Sequence, residues 1–124
     1  MEAVDLQYLV DHVEKKESKA HVVYLGTSGQ DLYRDMLEDD INAAIEGLDV
    51  TPVWYDAFAD GRVFASRYAV STIPAILFFR RGNLEVQMGG FVPAHVLREV
   101  AEKASRAPLQ EMIEKLRAEQ GDDE

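Results

Sequence analysis

The stretch from residue 68 to residue 83 constrains the fold of this chain more than any other. A short amphipathic segment ends at Tyr68, and an Ile73-Pro74 pair follows it. Five consecutive apolar residues, 75–79, then predict a buried strand that runs into a Gly82-Asn83 turn. Because a further apolar segment comes directly after this turn, the pattern predicts an antiparallel hairpin of residues 75–80 and 84–88.

The rest of the chain alternates between helical and extended patterns. Apolar spacings of three and four residues predict helices, and short apolar runs predict strands. The predicted helices cover residues 4–17, 31–46, 60–68 and 93–104, and the two further strands cover residues 21–25 and 50–55. The order α, β, α, β, α, β, β, α describes one α/β domain, residues 1–106, with a mixed sheet of about four strands.

An extra amphipathic helix is predicted after this domain, in the segment 107–124. It begins at Pro108, and its apolar residues recur at helical spacing: Leu109, Met112, Ile113 and Leu116. A helix of about ten residues is marginal alone in water, so the apolar stripe needs a surface to pack on. That surface is either the chain's own domain, a partner protein or a second copy of the chain.

Composition excludes several classes of function. The chain has no cysteine, so it can form no disulfide and offers no thiolate nucleophile. Its formal net charge of −10 disfavours nucleic acid and anionic membranes as partners. An acidic surface first of all favours solubility, and it would also suit a basic polypeptide partner. The N-terminal residues are acidic, unlike a signal peptide, and we therefore expect a cytoplasmic protein.

Residues 68–90 resemble the second half of the thioredoxin fold. The tyrosine, the Ile73-Pro74 pair, the apolar strand, the glycine turn and a second glycine all occur in that family's order. The resemblance implies a three-layer α/β/α sandwich in which the peptide bond of Ile73-Pro74 is cis and its loop forms one wall of the active-site groove. The strand that usually opens this fold has no counterpart in the pattern, since the chain begins directly on a predicted helix.

The same resemblance locates a degenerate active site between the first apolar strand and the long helix. Its best register places Ser28 on the nucleophilic cysteine of the family's Cys-Gly-Pro-Cys motif and Asp31 on the resolving cysteine. The family's buried proton-shuttling aspartate falls on Val22, which carries no proton. The chain is therefore identified as a redox-inactive member of the thioredoxin superfamily.

Loss of the cysteines leaves the groove itself available for binding. In this family an extended polypeptide lies beside the proline loop and pairs with the backbone there. The residues implied here are Thr27, Ser28, Gly29, Gln30, Asp31, Thr72, Ile73, Pro74, Gly90 and Phe91. Cysteine-less relatives include chaperone-like hydrogenase accessory proteins that bind basic export-signal peptides, and the chain shares with them its acidity and a Gly-x-x-Pro segment at 90–93.

The sequence also allows two alternatives to a peptide-binding function. Ser28 resembles the hydroxyl that glutathione transferases use on this fold, although a serine before a helix is more often a cap. A structural subunit that docks through its C-terminal helix is the other alternative. His12, His21 and His95 lack metal-ligand spacing, and His21 is predicted to lie at a strand edge. We expect no catalytic residue, no metal and no cofactor.

Overall fold

The computed structural model describes residues 1–27, 31–89, 92–104 and 116–117. The strands of this part are β1 (Glu2–Ala3), β2 (Ala20–Gly26), β3 (Val50–Asp56), β4 (Ala75–Arg80) and β5 (Asn83–Gly89). The helices are α1 (Leu6–Tyr8), which continues as a π-helix (Leu9–Val13), then α2 (Asp31–Ile45), α3 (Val63–Arg67) and α4 (Ala94–Ala104).

The strands form one mixed sheet in the order β1-β3-β2-β4-β5. β1, β3 and β2 are parallel, whereas β4 is antiparallel to both β2 and β5. Two parallel strands joined through α2 and followed by an antiparallel hairpin confirm the predicted α/β class and the predicted order of elements from the first helix onwards.

Two details of the prediction are wrong. The opening strand, predicted to be missing, is present, and the sheet therefore has five strands instead of about four. β1 contains only Glu2 and Ala3, which pair with Val53 and Trp54 of β3. Such a short, exposed segment shows no apolar periodicity, so no local pattern could reveal it. Because β1 pairs with these two residues only, the described part of the sheet places a neighbour on one side alone at Pro52, which has no N–H to offer a second strand.

The first helix is shorter than the predicted span of residues 4–17. Asp5 caps it by accepting a hydrogen bond from the backbone N–H of Tyr8 at 2.9 Å. The helical segment ends at Val13, and both Leu9 and Val13 are fully buried. Residues 14–19 are charged apart from Ser18, so they offer no apolar face that could be packed by a longer helix.

The two faces of the sheet carry separate apolar cores, which makes the three layers. The core beneath the first helix and α3 contains, among others, Leu9, Val13, Val23, Leu25, Val53, Tyr55, Phe64, Leu77 and Phe79. The core beneath α2 and α4 contains, among others, Val22, Tyr24, Leu37, Ile41, Ile76, Phe78, Leu97 and Ala101. Alternate residues of β2 and β4 therefore enter opposite layers, and both strands are buried on both faces.

The β4–β5 hairpin turns through Arg81 and Gly82, both of which have positive φ. Two central residues of this kind match the twist of the flanking strands. A side chain at Gly82 would also lie 2.5 Å from the backbone oxygen of Glu14, so the turn packs directly on the end of the first helix.

The predicted C-terminal helix lies largely beyond the described residues, including Leu109, Met112 and Ile113. Leu116 and Arg117 are helical, and Leu116 is 52% exposed. Among the described helices, none combines the length and the apolar character that crossing a bilayer requires.

Candidate functional site

The sheet register brings two of the predicted groove segments and the end of β5 to one end of the molecule. At the last row of the sheet, Leu25 of β2 pairs with Ala75 of β4, and Ala75 pairs with Gly89 of β5. Thr27 follows this row on β2, Pro74 precedes it on β4, and Gly89 is the last residue of β5. Segments that are far apart in sequence therefore meet because the carboxyl ends of β2 and β5 adjoin the start of β4.

The loop of residues 72–74 forms the centre of this arrangement. The peptide bond of Ile73-Pro74 is cis. Pro74 is buried, Ile73 is half-buried against the core, and Thr72 is exposed. Across the described parts of the chain, the backbone N–H and C=O groups of Thr72 and Ile73 make no hydrogen bond. The loop thus presents free backbone donors and acceptors beside an apolar wall.

β5 passes close to this loop at Gly89. A Cβ atom at Gly89 would lie 3.1 Å from the Cβ of Thr72 and 3.3 Å from its Cγ2. The absence of a side chain at this position is therefore what allows β5 to pass so near the loop. β5 also contacts the end of α3, since the side-chain amide of Gln87 donates to the backbone oxygen of Tyr68 at 2.9 Å.

The C-terminal end of β3 adds residues that the sequence interpretation missed. The backbone N–H of Ala57 donates to the oxygen of Gly26 at 2.9 Å, which ties this segment to the start of the degenerate motif. Phe58 follows with 51% of its surface exposed, and Asp56 accepts a hydrogen bond from its backbone N–H at 2.9 Å. Their position at the end of a predicted strand could have located them, because the carboxyl ends of neighbouring parallel strands lie at the same edge of a sheet.

Asp60 lies in the same loop, and most of its acceptor capacity is taken. It receives the Tyr55 hydroxyl at 2.6 Å and the backbone N–H groups of Val63 and Phe64 at 3.0 Å each, so it caps α3. Burial raises the pKa of Asp60, but these hydrogen bonds outweigh that effect and leave the pKa below its usual value. The pKa of Tyr55 is raised, first by burial and then by its hydrogen bond to Asp60.

Several predicted groove residues fall outside the described part of the chain: Ser28, Gly29, Gln30, Gly90 and Phe91. Asp31 is the first residue of α2. Val22, which occupies the position of the family's buried aspartate, is fully buried and apolar.

A polar group without a partner lies on β2 just before the 27–31 segment. Tyr24 is fully buried, and its hydroxyl has no hydrogen-bond partner in the described structure. It pairs across the sheet with Trp54, over whose ring the Arg34 guanidinium lies at 4.5 Å from the centroid. A side chain at Gly26 would lie 2.8 Å from the Tyr24 ring, so the ring extends towards the end of β2. Burial raises the pKa of Tyr24 and Arg34 opposes that rise.

The prediction that His21 lies at a strand edge is wrong. β2 is flanked by β3 and β4, and His21 is only 4% exposed. Its position at the start of an apolar run did not show that both neighbouring strands extend past it. In the described residues, no three His, Asp or Glu side chains come close enough together to hold a metal ion.

Comparison with known proteins gives structural likeness only. No family model and no curated protein matches the chain. A mutant thioredoxin from Halobacterium salinarum is similar at a TM-score of 0.69 and 19% identity, over 86% of this chain and 91% of that one. Thioredoxin F from spinach chloroplast gives 0.68 and 17%, over 85% and 86%.

Oxidised thioredoxin O2 from Arabidopsis thaliana gives a TM-score of 0.59 and 23% identity, over 75% of this chain and 81% of that one. The sheet order, the helices on both faces and these likenesses agree with the resemblance of residues 68–90. The chain therefore has the thioredoxin fold, and it contains no cysteine.

Proposed function

We propose that this chain is a non-enzymatic protein that binds an extended polypeptide in a groove beside the 72–74 loop. The observation that carries the proposal is that the backbone groups of Thr72 and Ile73 make no hydrogen bond with any other described residue. An extended guest can pair with such groups as an added strand does at a sheet edge. Phe58 and the half-buried Ile73 supply apolar contacts for its side chains.

A basic guest suits this end of the molecule. Asp56 is the last residue of β3 and Asp60 lies in the loop that follows it, and the whole chain carries a net charge of −10. Opposite charges on a guest would speed its encounter with this surface and select among guests. A basic export-signal peptide is the kind of partner that combines positive charge with an apolar extended segment, and it would meet this protein in the cytoplasm.

The proposal excludes disulfide exchange, because no residue of the chain can form a thiolate. We expect no reduction of insulin in a turbidity assay with either dithiothreitol or a thioredoxin reductase system above the rate without protein. Turbidity that rises in proportion to added protein would contradict a non-enzymatic role.

Binding is tested by fluorescence anisotropy with a labelled basic peptide that contains an apolar segment. Two single substitutions compare the groove with the C-terminal helix, since Phe58 and Leu116 are 51% and 52% exposed. Phe58→Ala is expected to weaken binding about tenfold, as loss of a buried aromatic contact does, whereas Leu116→Ala leaves it within about twofold. The reverse result would assign binding to the C-terminal helix and support a docking subunit.

Two further measurements separate strand-like pairing from general attraction. Methylation of single backbone N–H groups along the guest should reduce affinity at alternate residues, because alternate residues of an added strand face its neighbour. Raising the salt from about 0.1 to 1 M should weaken binding, because the Debye length falls from about 10 to 3 Å. Saturable binding of glutathione by calorimetry would instead favour the Ser28 alternative.

A further inference from the structure

A cavity of about 350 Å³ lies at the end of the sheet opposite the 72–74 loop. Its wall includes His21 and Thr51, which are near the starts of β2 and β3, whereas the groove lies at their carboxyl ends. The volume is within the range of roughly 300–1,000 Å³ that is usual for small-molecule sites. Polar side chains predominate around it: Tyr8, His12, Lys15, Ser18, Lys19 and His21.

The wall of this cavity is balanced in formal charge, with two lysines and two acids, whereas the protein as a whole is acidic. Three of the five lysines of the chain fall within residues 15–19, and Lys15 and Lys19 line the cavity. The nearby carboxylate of Asp11 is already engaged, at 2.8 Å from the Gln7 side-chain nitrogen and 3.7 Å from Lys15 Nζ. Glu17, the other acid of the wall, is exposed, as are Lys15 and Lys19, and Lys19 makes no ion pair among the described residues.

The hydrogen bonds of His21 define which of its ring nitrogens carries the proton. Nδ1 lies 3.0 Å from the backbone oxygen of Lys19, and Nε2 lies 3.2 Å from the Tyr8 hydroxyl. A carbonyl oxygen only accepts, so Nδ1 carries the ring proton and Nε2 accepts from Tyr8. The hydroxyl proton of Tyr8 is therefore directed at His21 and away from the cavity.

His21 is neutral in this arrangement for a physical reason. Burial lowers its pKa, its contact with Lys19 opposes this effect, and the nearby His12 adds to it. The groups facing His21 are Tyr8 and His12 from the first helix and Lys19 from the following loop. Its sheet neighbours, Thr51 and Phe79, do not titrate.

We propose that this cavity binds a small oxyanion, either a phosphate or a carboxylate, and that binding is coupled to protonation of His21 at Nε2. Once Nε2 carries a proton, it donates to the Tyr8 oxygen, and the Tyr8 hydroxyl is released to donate into the cavity. An anion then gains a hydroxyl donor as well as the lysine charges. This site is independent of the peptide groove and does not rest on the function proposed above.

The test uses the full-length chain labelled with ¹⁵N and three sodium salts at constant ionic strength. Sulfate represents a tetrahedral oxyanion whose charge does not change between about pH 6 and 8, the range in which histidine titrates. Acetate represents a carboxylate, and chloride is the control for general salt effects. We expect saturable amide shifts confined to residues 8–21 and 51, tighter binding near pH 6 than pH 8, and a His21 Nε2 signal that moves to the protonated position.

Two lysine substitutions with the same charge change give a matched comparison. Lys19→Met should weaken sulfate binding about tenfold, because a charged hydrogen bond is lost. Lys103→Met, which changes an exposed lysine of α4, should change it by less than about twofold, since exposed charges act weakly over distance. Equal effects of the two substitutions, or shifts equally large with chloride, would overturn the site.

Two further variants test the coupling itself. Tyr8→Phe should abolish the difference between the two pH values, whereas His12→Gln should retain it. Unchanged pH dependence in Tyr8→Phe, or its loss in His12→Gln, would overturn the role given to His21. A stronger response to sulfate than to acetate would identify the ligand as a phosphate group, and the opposite order would identify it as a carboxylate.

Discussion

Tyr24 and Tyr55 lie on the neighbouring strands β2 and β3, are 0% and 2% exposed, and differ in what their hydroxyls contact. The Tyr55 hydroxyl donates to Asp60 at 2.6 Å, whereas the Tyr24 hydroxyl has no partner in the described structure. Replacing each tyrosine by phenylalanine removes the same atom. We expect the two substitutions to change the free energy of unfolding in opposite directions.

The magnitudes follow from the two environments. A buried polar group without a partner costs about 1–3 kcal/mol, so Tyr24→Phe should raise the free energy of unfolding by up to that amount. A hydrogen bond to a charged group contributes about 1.5–3 kcal/mol, so Tyr55→Phe should lower it correspondingly. For a domain of this size, each kcal/mol corresponds to roughly 3–6 °C in Tm.

Urea unfolding followed by far-UV circular dichroism measures both changes, with the wild-type protein as reference. Circular dichroism is preferable to fluorescence because Trp54, the single tryptophan, pairs directly with Tyr24. The slope of the free energy against urea should be the same for all three proteins, which shows that only stability has changed. If Tyr24→Phe destabilises the protein as much as Tyr55→Phe, the Tyr24 hydroxyl has a partner and our description of its environment is refuted.

Three further predictions concern pH and packing. Because the folded-state pKa of His21 is lowered, the unfolded state binds a proton that the folded state excludes below about pH 6.5. The free energy of unfolding should therefore fall between about pH 7 and pH 5. The urea midpoint of His21→Gln should fall less over this range, and a fall as large as in the wild-type protein would contradict the effect of burial. The pKa of Asp60 is also lowered, so its contribution is present above about pH 3.9 and is lost as the pH falls through its lower folded value. Asp60→Asn keeps an oxygen acceptor for the first turn of α3 but should make the free energy of unfolding less dependent on pH below about pH 4. A dependence as steep as in the wild-type protein would contradict the contribution of Asp60. Gly89→Ala should lower the free energy of unfolding by about 1 kcal/mol or more, because the added methyl group crowds Thr72. In a double-mutant cycle, Thr72→Gly should restore part of this loss, whereas strictly additive changes would show that Thr72 does not restrict the size of residue 89.

Local patterns in the sequence were sufficient for much of the fold. The apolar runs at 21–25 and 75–79 predicted strands that are buried on both faces, and the Gly82 turn predicted the hairpin. The prediction of α2 as residues 31–46 differs from the observed Asp31–Ile45 at one end only. Each of these signals is a periodicity or a turn residue, which a single segment carries by itself.

The candidate site was predicted in part, and by resemblance more than by pattern. The residues 72–74 were located because the Ile73-Pro74 pair precedes an apolar strand. Phe58 and Asp56 were missed because nothing local distinguishes them from other loop residues. Their place beside Gly26 depends on the parallel pairing of β2 with β3, in which Gly26 is opposite Asp56.

What the sequence by itself determined was the succession of helices and strands, the excess of negative charge and the absence of any thiol. Only the tertiary structure decided that Glu2 and Ala3 form an edge strand, that His21 is buried against Tyr8, and that Leu25, Ala75 and Gly89 form one row. The physical reason is that periodicity shows which face of a segment is apolar, whereas pairing register and side-chain contacts depend on segments distant in sequence. The Ile73 backbone, which has no hydrogen-bond partner in the described part of the chain, and the cavity beside His21 both arise from such distant contacts, so local sequence patterns could reveal neither.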